Sequence, residues 1–291
     1  MTNPLEFLIN GSRHTLTRPA ALQDREGLVT LIRKHQLLHR HLDWRQPLDW
    51  LGSDPFWLME NSQHIEAALA IPPDPPGVAW IRLFACLNSL SVQDTWDNLL
   101  DNCMSFFRKQ PAAIAAIGLS DWFSRLLLHS GFSIYQEIVV LQADLAEGFK
   151  NIQPAPETVI RPYQVGDFDR VLFVDQGSFE NIWQVSASGM VYACQAAAYI
   201  SVAEVEGKVV GYQLSTSSPL SAHLARLAVL PEYQHFGIGT ALVQDLRNHF
   251  LQVKITELTV NTQSSNVASL HLYHKLDFIE TEERFPVFTL G

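Results

Sequence analysis

The residues best suited to chemistry lie between Leu227 and Thr240, which read L-A-V-L-P-E-Y-Q-H-F-G-I-G-T. An apolar run of buried-strand character stops at Pro231, passes Gln234, His235 and Phe236, and reaches Gly237, Ile238 and Gly239. Ala241, Leu242, Leu246 and Phe250 then recur at helical spacing. Strand, glycine-bearing loop and helix start, in that order, can hold an anion. The first N–H groups of a helix lack intrahelical partners, the macrodipole places roughly half a positive charge there, and glycine lets a phosphate approach the backbone. Gly-x-Gly by itself also fits an ordinary turn into a helix. No Gly-x-Gly-x-x-Gly follows, and no Lys-Ser/Thr of a P-loop.

A second stretch, Leu258–Phe278, holds Asn266 and Tyr273. Asn266 stands where a helix begins, and asparagine is a good N-cap. Tyr273 lies two turns on, where the pattern alone reads as a core aromatic on an amphipathic helix.

Together, Gln234-x-x-Gly237-x-Gly239 after L-A-V-x-P, and Asn266 leading to Leu272-Tyr273 and Phe278, resemble the GCN5-related N-acetyltransferase (GNAT) superfamily over Thr158–Gly291. That resemblance implies acetyl-CoA as co-substrate and no metal. Backbone groups of Leu227, Ala228 and Val229 would pair with the pantetheine arm. The N–H groups from Gln234 through His235, Phe236, Gly237, Ile238 and Gly239 to Thr240 would hold the pyrophosphate. Asn266 would lie beside the coenzyme, and Tyr273 would touch it and protonate the departing thiolate. The chemistry suits those residue types: acetyl transfer needs a neutral amine, stabilisation of the carbonyl oxygen, and a proton for a thiolate of pKa about 8.5. A tyrosine with pKa about 10 can give that proton.

The chain also departs from the pattern. His235 stands where glycine is common, Phe236 where a cation is common, and Asp277 where glycine precedes Phe278. Asn261 is an amide where some members carry a glutamate base, so no base is assigned by motif; Glu180, Glu204 and His223 are the candidates.

These groups must be positioned by a fold that the sequence contains twice. Arg18-Pro19 with Asp24 recurs as Arg161-Pro162 with Asp167 at an offset of 143 (161 − 18). The strand-like runs around Arg82 and Arg226, and the segments ending in Phe132 and Phe278, keep nearly the same spacing. In the first half, helical spacing places Leu22, Leu28, Leu31, Ile32 and Leu38 on one stripe. Strands are expected over 65–71 and 78–87, and a helix over 121–128. In the second, strands are expected over 158–162, 199–205, 209–215, 223–230, 257–261, 278–284 and 287–290, with helices between. The expected fold is a mixed, mostly antiparallel α+β sheet with helices on both faces, in two tandem acyl-CoA N-acyltransferase-like domains. These comprise a degenerate copy over 1–146, a Pro-containing linker over 147–157, and the acetyltransferase copy over 158–291. The first copy has no glycine in the turn after its 81–87 strand, and offers Leu119–Asp121 and Leu127 where Asn266 and Tyr273 stand.

Bulk properties set outer bounds. The 291 residues, 47% hydrophobic and 17% charged, suit two globular cores. A net charge of −10 argues against nucleic-acid or anionic-membrane surfaces and is compatible with a cationic acceptor. Three scattered cysteines, and an N-terminus without a signal-like apolar run, lead to the expectation of a cytoplasmic protein. His35 and His39, four apart, lack a third ligand for a metal. Trp44, Trp50, Phe56 and Trp57 read as core or as an acceptor pocket. The expectation is an N-acetyltransferase acting on a small-molecule amine or a protein amino group, with oligomeric state open. The alternative is a non-catalytic acyl-CoA-binding or regulatory module.

Overall fold

A computed structural model describes residues 15–34, 37–62, 64–145 and 158–290; the expected linker at 147–157 and His35 lie outside the described residues. The first half contains β1 (Leu16–Pro19), α1 (Arg25–Arg33), β2 (Leu37–Arg40), β3 (Phe56–Glu60), β4 (Ile65–Ala70), β5 (Val78–Trp80), β6 (Leu83–Cys86), α2 (Val92–Phe107), β7 (Ala113–Ile117), α3 (Asp121–His129) and β8 (Phe132–Asp144). The second contains β9 (Thr158–Pro162), α4 (Phe168–Ser178), α5 (Ala187–Ala196), β10 (Tyr199–Val205), β11 (Lys208–Ser217), β12 (Ser221–Val229), α6 (Ile238–Gln252), β13 (Glu257–Gln263), α7 (Val267–Lys275) and β14 (Ile279–Leu290).

Three sequence expectations change. α1 ends at Arg33, and Leu38 belongs to strand β2, so the apolar stripe ran across an element boundary. The strand expected over 78–87 is broken at Ile81-Arg82 into β5 and β6, which belong to different sheets. The two C-terminal strands are one, β14, whose register against β8 shifts between Glu280 and Arg284 and again between Val287 and Phe288. Pro286 lies in that irregular stretch, where a missing N–H is tolerated.

The repeat is visible as chemistry. In the first half the Arg18 guanidinium bonds Asp24 (2.8 Å) and Glu60 (2.7 Å), and Asp24 also accepts the Ala21 N–H at 2.7 Å. In the second, Arg161 bonds Asp167 (2.7 Å) and Glu204 (2.9 Å), and Asp167 accepts the Gln164 N–H at 2.8 Å. Each cluster ties the turn before a helix to two strands. Gly131 and Asp277 close the equivalent helices α3 and α7, both in the left-handed region (φ 84° and 60°).

Contacts divide the chain differently from the repeat. One compact unit runs through Pro73 and includes Trp80–Ala112; the other comprises Asp74–Ala79 and everything from Ala113. The first unit holds a sheet in the order β1-β3-β4-β6-β2, with a core of Leu28, Leu31, Trp50, Phe56, Leu58 and Leu83. The second holds the nine strands β5-β7-β14-β8-β13-β12-β11-β10-β9.

The reason for the difference is an exchange of strands. Each half runs strand, helix, strand, as β7-α3-β8 and as β13-α7-β14. β8 pairs antiparallel with β13 of the other half (Ile138 opposite Gln263, Asp144 opposite Glu257). β14 pairs with β7 (Leu290 opposite Ile114), and β8 and β14 pair with each other. A strand from the first half thus lies inside the sheet of the second.

Helices cover both faces of this sheet. Along β11, Tyr212 points to α4, where its hydroxyl donates to Asp175, and Gln213 points the other way into a buried group with Ser201 and Ser215. On that other face Tyr199 stacks on His249 (3.8 Å) and donates to Asp245 of α6 (2.8 Å). α6 and α7 share a core there of Val243, Leu246, Phe250, Tyr273 and Leu276 with Leu224, Leu258 and Val260.

Candidate functional site

The site begins with a fork in the sheet. β12 and β13 pair in parallel only from Ser221 opposite Glu257 to Leu224 opposite Val260, yet β12 runs on to Val229 and β13 to Gln263. A bulge marks the parting: against β11, Leu214 faces Arg226 and Ser215 faces Leu224, so Ala225 is the extra residue. That extra residue shifts the alternation by one. Leu224 faces the α6–α7 core, while Arg226 faces α4, and Leu227 returns to the α6–α7 side. Backbone groups of 225–229 on the β13 side are thereby left unpaired by β13. Leu227, Ala228 and Val229 all lie on this edge.

The loop is built as the sequence implied. Tyr233 and Gln234 donate N–H bonds back to Leu230 O (2.8 Å) and Pro231 O (3.2 Å), and the Gln234 side chain donates to Val229 O (2.9 Å), holding the loop to the end of β12. His235 (φ 67°) and Gly237 (φ 82°) are both left-handed. This explains why glycine suits position 235 and why histidine there costs about 1 kcal/mol. The first rung of α6 runs from Ala241 N–H to Gly237 O (3.0 Å), so the N–H groups of Ile238, Gly239 and Thr240 precede the helical ladder. Gly239 serves packing: a Cβ there would come within 3.3 Å of Leu272 and 4.0 Å of Leu227. Leu227, Gly239 and Leu272 thus converge from β12, α6 and α7. Phe236 is exposed, and no cation stands in the loop itself.

Asn266 caps α7, its side chain accepting the Ser269 N–H at 3.1 Å. Tyr273 is buried at 4% exposure, its ring 5.5 Å from Phe278. Burial pushes its pKa up, so it stays protonated at neutral pH. The Tyr273 hydroxyl is not among the side-chain atoms that are sealed from solvent without a partner, so although the ring is buried its oxygen is not an orphaned group in the core.

The base candidates separate. Glu204 is bound to Arg161 on β10, two strands from the fork. His223 is bonded to Thr259 (2.9 Å), and burial lowers its pKa. Glu180 is exposed on the segment after α4 and accepts from the Tyr135 hydroxyl at 3.3 Å. Asn261 is exposed. His39 is in β2 rather than a helix, buried, and bonded to Ile81 O at 3.1 Å; His41 stacks on Trp80 at 4.8 Å. Among the described residues no group of three His, Cys, Asp or Glu side chains could hold a metal. Trp50 and Phe56 are core residues.

Sequence reasoning missed a buried cluster on the α4 face. Asp175, fully buried, accepts from Tyr212 and lies 2.6 Å from Arg226 Nη2. It also accepts the Val185 N–H at 3.0 Å, while Arg226 donates to Trp183 O at 3.0 Å and lies over Phe179 at 4.2 Å. The segment between α4 and α5 is thus locked to β12 at the fork. The signal was present: one arginine inside an apolar strand, and one aspartate beside Val171 and Val174 on an apolar helix face.

The first unit lacks this opening. At the repeat offset of 144 (226 − 82), Leu83, Phe84 and Ala85 stand for Leu227, Ala228 and Val229. There β2 fills the edge, with Arg40 opposite Leu83, His39 opposite Phe84 and Leu38 opposite Ala85. The chain's own strand occupies the place where a pantetheine arm would pair.

Residues 168–278 match the Acetyltransferase (GNAT) family. An uncharacterised N-acetyltransferase of Methanocaldococcus jannaschii is 27% identical over 121 residues, 41% of this chain and 77% of that protein. An N-alpha-acetyltransferase of Sulfurisphaera tokodaii is 36% identical over 95 residues, 28% of this chain and 56% of that one. Among solved structures, a tandem GNAT protein from the clavulanic acid biosynthesis pathway aligns over 94% of this chain and 98% of its own, with a TM-score of 0.65 and 14% identity. At that identity the likeness is one of fold.

Proposed function

We propose that the chain, whose residues 168–278 match the GNAT acetyltransferase family, is an acetyl-CoA-dependent N-acetyltransferase that passes acetyl to a primary amine by direct attack, with the site in its second half. The observation that carries this reading is the fork between β12 and β13, with the bare N–H groups of α6 at its mouth and Tyr273 on α7.

The residues present fit the coenzyme. The free edge of Leu227–Val229 offers backbone donors and acceptors to a pantetheine arm, and the 234–240 loop offers N–H groups and a helix dipole to the pyrophosphate. Tyr273, kept protonated by burial, offers a proton. Acetyl-CoA supplies the activated acyl group. As the amine forms its C–N bond and the C–S bond breaks, Tyr273 gives its proton to the sulfur and is reprotonated by the proton the amine sheds. Positioning in the fork supplies most of the acceleration.

A second reading, an acyl-CoA-binding module without turnover, is favoured by His235 in a glycine-type conformation and by the loss of Glu204 as a base. Calorimetric titration with acetyl-CoA, followed by CoA release in the presence of primary amines, separates the two. Binding with transfer is the expected result. Binding without transfer supports the module, and absence of binding sinks both.

A further inference from the structure

The segment between α4 and α5 is fastened on two sides. Towards β12 it is held by Arg226 and Asp175 through Phe179, Trp183 and Val185. Towards β8, the Trp183 indole donates to Gln136 Oε1 at 3.2 Å, and the Tyr135 hydroxyl donates to Glu180 Oε2 at 3.3 Å. β12, β13 and β8 are consecutive in the sheet, so a segment tied to the first and the last crosses over the middle one.

The register says where. Gln263, the last residue of β13, faces Ile138, and Ser264 N–H bonds Glu137 O at 2.8 Å. Tyr135 and Gln136 therefore lie just past the C-terminal end of β13, the end from which β12 has parted. The segment that carries Glu180 therefore crosses the C-terminal end of the fork on the α4 face, while the 234–240 loop follows β12 into α6 on the other face. A coenzyme entering from one face and an acceptor from the other would meet in the gap.

Glu180 also differs chemically from other acids of the second half. Asp175 is paired with Arg226, Asp167 and Glu204 with Arg161, and Glu280 with Arg284. Among the described residues Glu180 is in no ion pair; its recorded partner is a neutral phenol. A carboxylate oriented by one neutral donor keeps lone pairs for a cation, and the cation an amine acceptor brings is its own ammonium group.

We propose that Glu180 and Tyr135 together receive the amino group of the acceptor, a primary alkylammonium, so that acceptor recognition joins a residue of the second half to the exchanged strand of the first. This rests on the acetyltransferase reading. Glu180 binds the ammonium form and sets its nitrogen over the fork, where it loses one proton to solvent before the neutral amine attacks; Tyr135 fixes the carboxylate.

The test uses the full chain with hexylamine as probe, following CoA release against amine concentration, with acetyl-CoA binding measured separately. Glu180→Gln is expected to raise the hexylamine KM by about tenfold to a hundredfold. Tyr135→Phe is expected to raise it by about threefold. Both should leave acetyl-CoA affinity unchanged, and Glu180→Asp should restore part of the loss. Unchanged amine KM in the first two variants overturns the proposal, as does an equal loss of coenzyme affinity. If hexylamine is not turned over, NMR saturation transfer to hexylamine from the CoA-saturated chain decides: transfer lost in Glu180→Gln supports the proposal, and none in the wild type overturns it. Failure of the acetyltransferase reading is a different result, absence of acetyl-CoA binding.

Discussion

Replacing Asp175 with alanine removes the acceptor at the centre of the buried cluster on the α4 face. Asp175 is fully buried and the Arg226 side chain is 12% exposed, so the substitution strands a guanidinium in a nearly dry site and leaves the Tyr212 hydroxyl and Val185 N–H without their partner. Breaking one side of a buried pair costs about 3–5 kcal/mol, because the remaining charge is uncompensated. For a unit of this size that is a fall of about 10 °C in Tm. Replacing both partners, as Asp175→Leu with Arg226→Met, removes the stranded charge as well, and should cost far less than the two single substitutions together. Denaturant unfolding of the wild type, Asp175→Leu, Arg226→Met and the double variant gives the numbers for the cycle, with Asp175→Ala measured beside them. Amide exchange at Val185 reports whether the segment between α4 and α5 has come loose, and protection there should fall in Asp175→Ala even where the rest of the sheet stays closed. A single substitution costing under about 1 kcal/mol, or costs that simply add, would refute the view that this cluster is a coupled lock.

Other expectations follow from single features. Tyr273→Phe should lower kcat by about tenfold to a hundredfold with acetyl-CoA affinity retained; an unchanged rate would return Tyr273 to a packing role. A fragment beginning at Thr158 lacks β8, which lies between β13 and β14, and should not give a dispersed NMR spectrum on its own; a folded, soluble fragment would show that the exchanged strand is dispensable. Burial pushes the pKa of His39 down to about 4 from 6.5, so its unfolded form takes up a proton first. Stability is then whole above pH 6.5 and falls as pH drops toward 4, by up to about 3 kcal/mol from this residue. The depressed pKa of His41, also caused by burial, and those of Asp24 and Asp167 beside their arginines, act in the same direction. A urea midpoint that stays level across that window would contradict this.

The parts of the fold legible in the sequence are those coded locally. The 234–240 loop could be read because a left-handed turn and a close helix start demand glycine, and Gly237 and Gly239 supply it. The repeat could be read because Arg18–Asp24 and Arg161–Asp167 build the same lock from the same spacing. What could not be read depends on distant partners. Leu38 fits the helical stripe of α1 as well as it fits a strand, and the edge of β6 decides for the strand. The exchange of β8 and β14 leaves no period in either segment, since apolar alternation serves equally beside β13 or β7. Asp175 and Arg226 lie fifty-one residues apart in sequence, and only the bulge at Ala225 turns the arginine towards the aspartate. Glu204 is ion-paired with Arg161, which composition could not foresee.

On the proposed function the chain binds one coenzyme, in the fork of the second half, because β2 has filled the equivalent edge in the first. Calorimetric titration of the full chain with acetyl-CoA tests it directly. One coenzyme per chain, lost when Gly239→Val thrusts a side chain against Leu272 and Leu227, is the predicted result. Two coenzymes per chain, or one that persists in that variant, would contradict it.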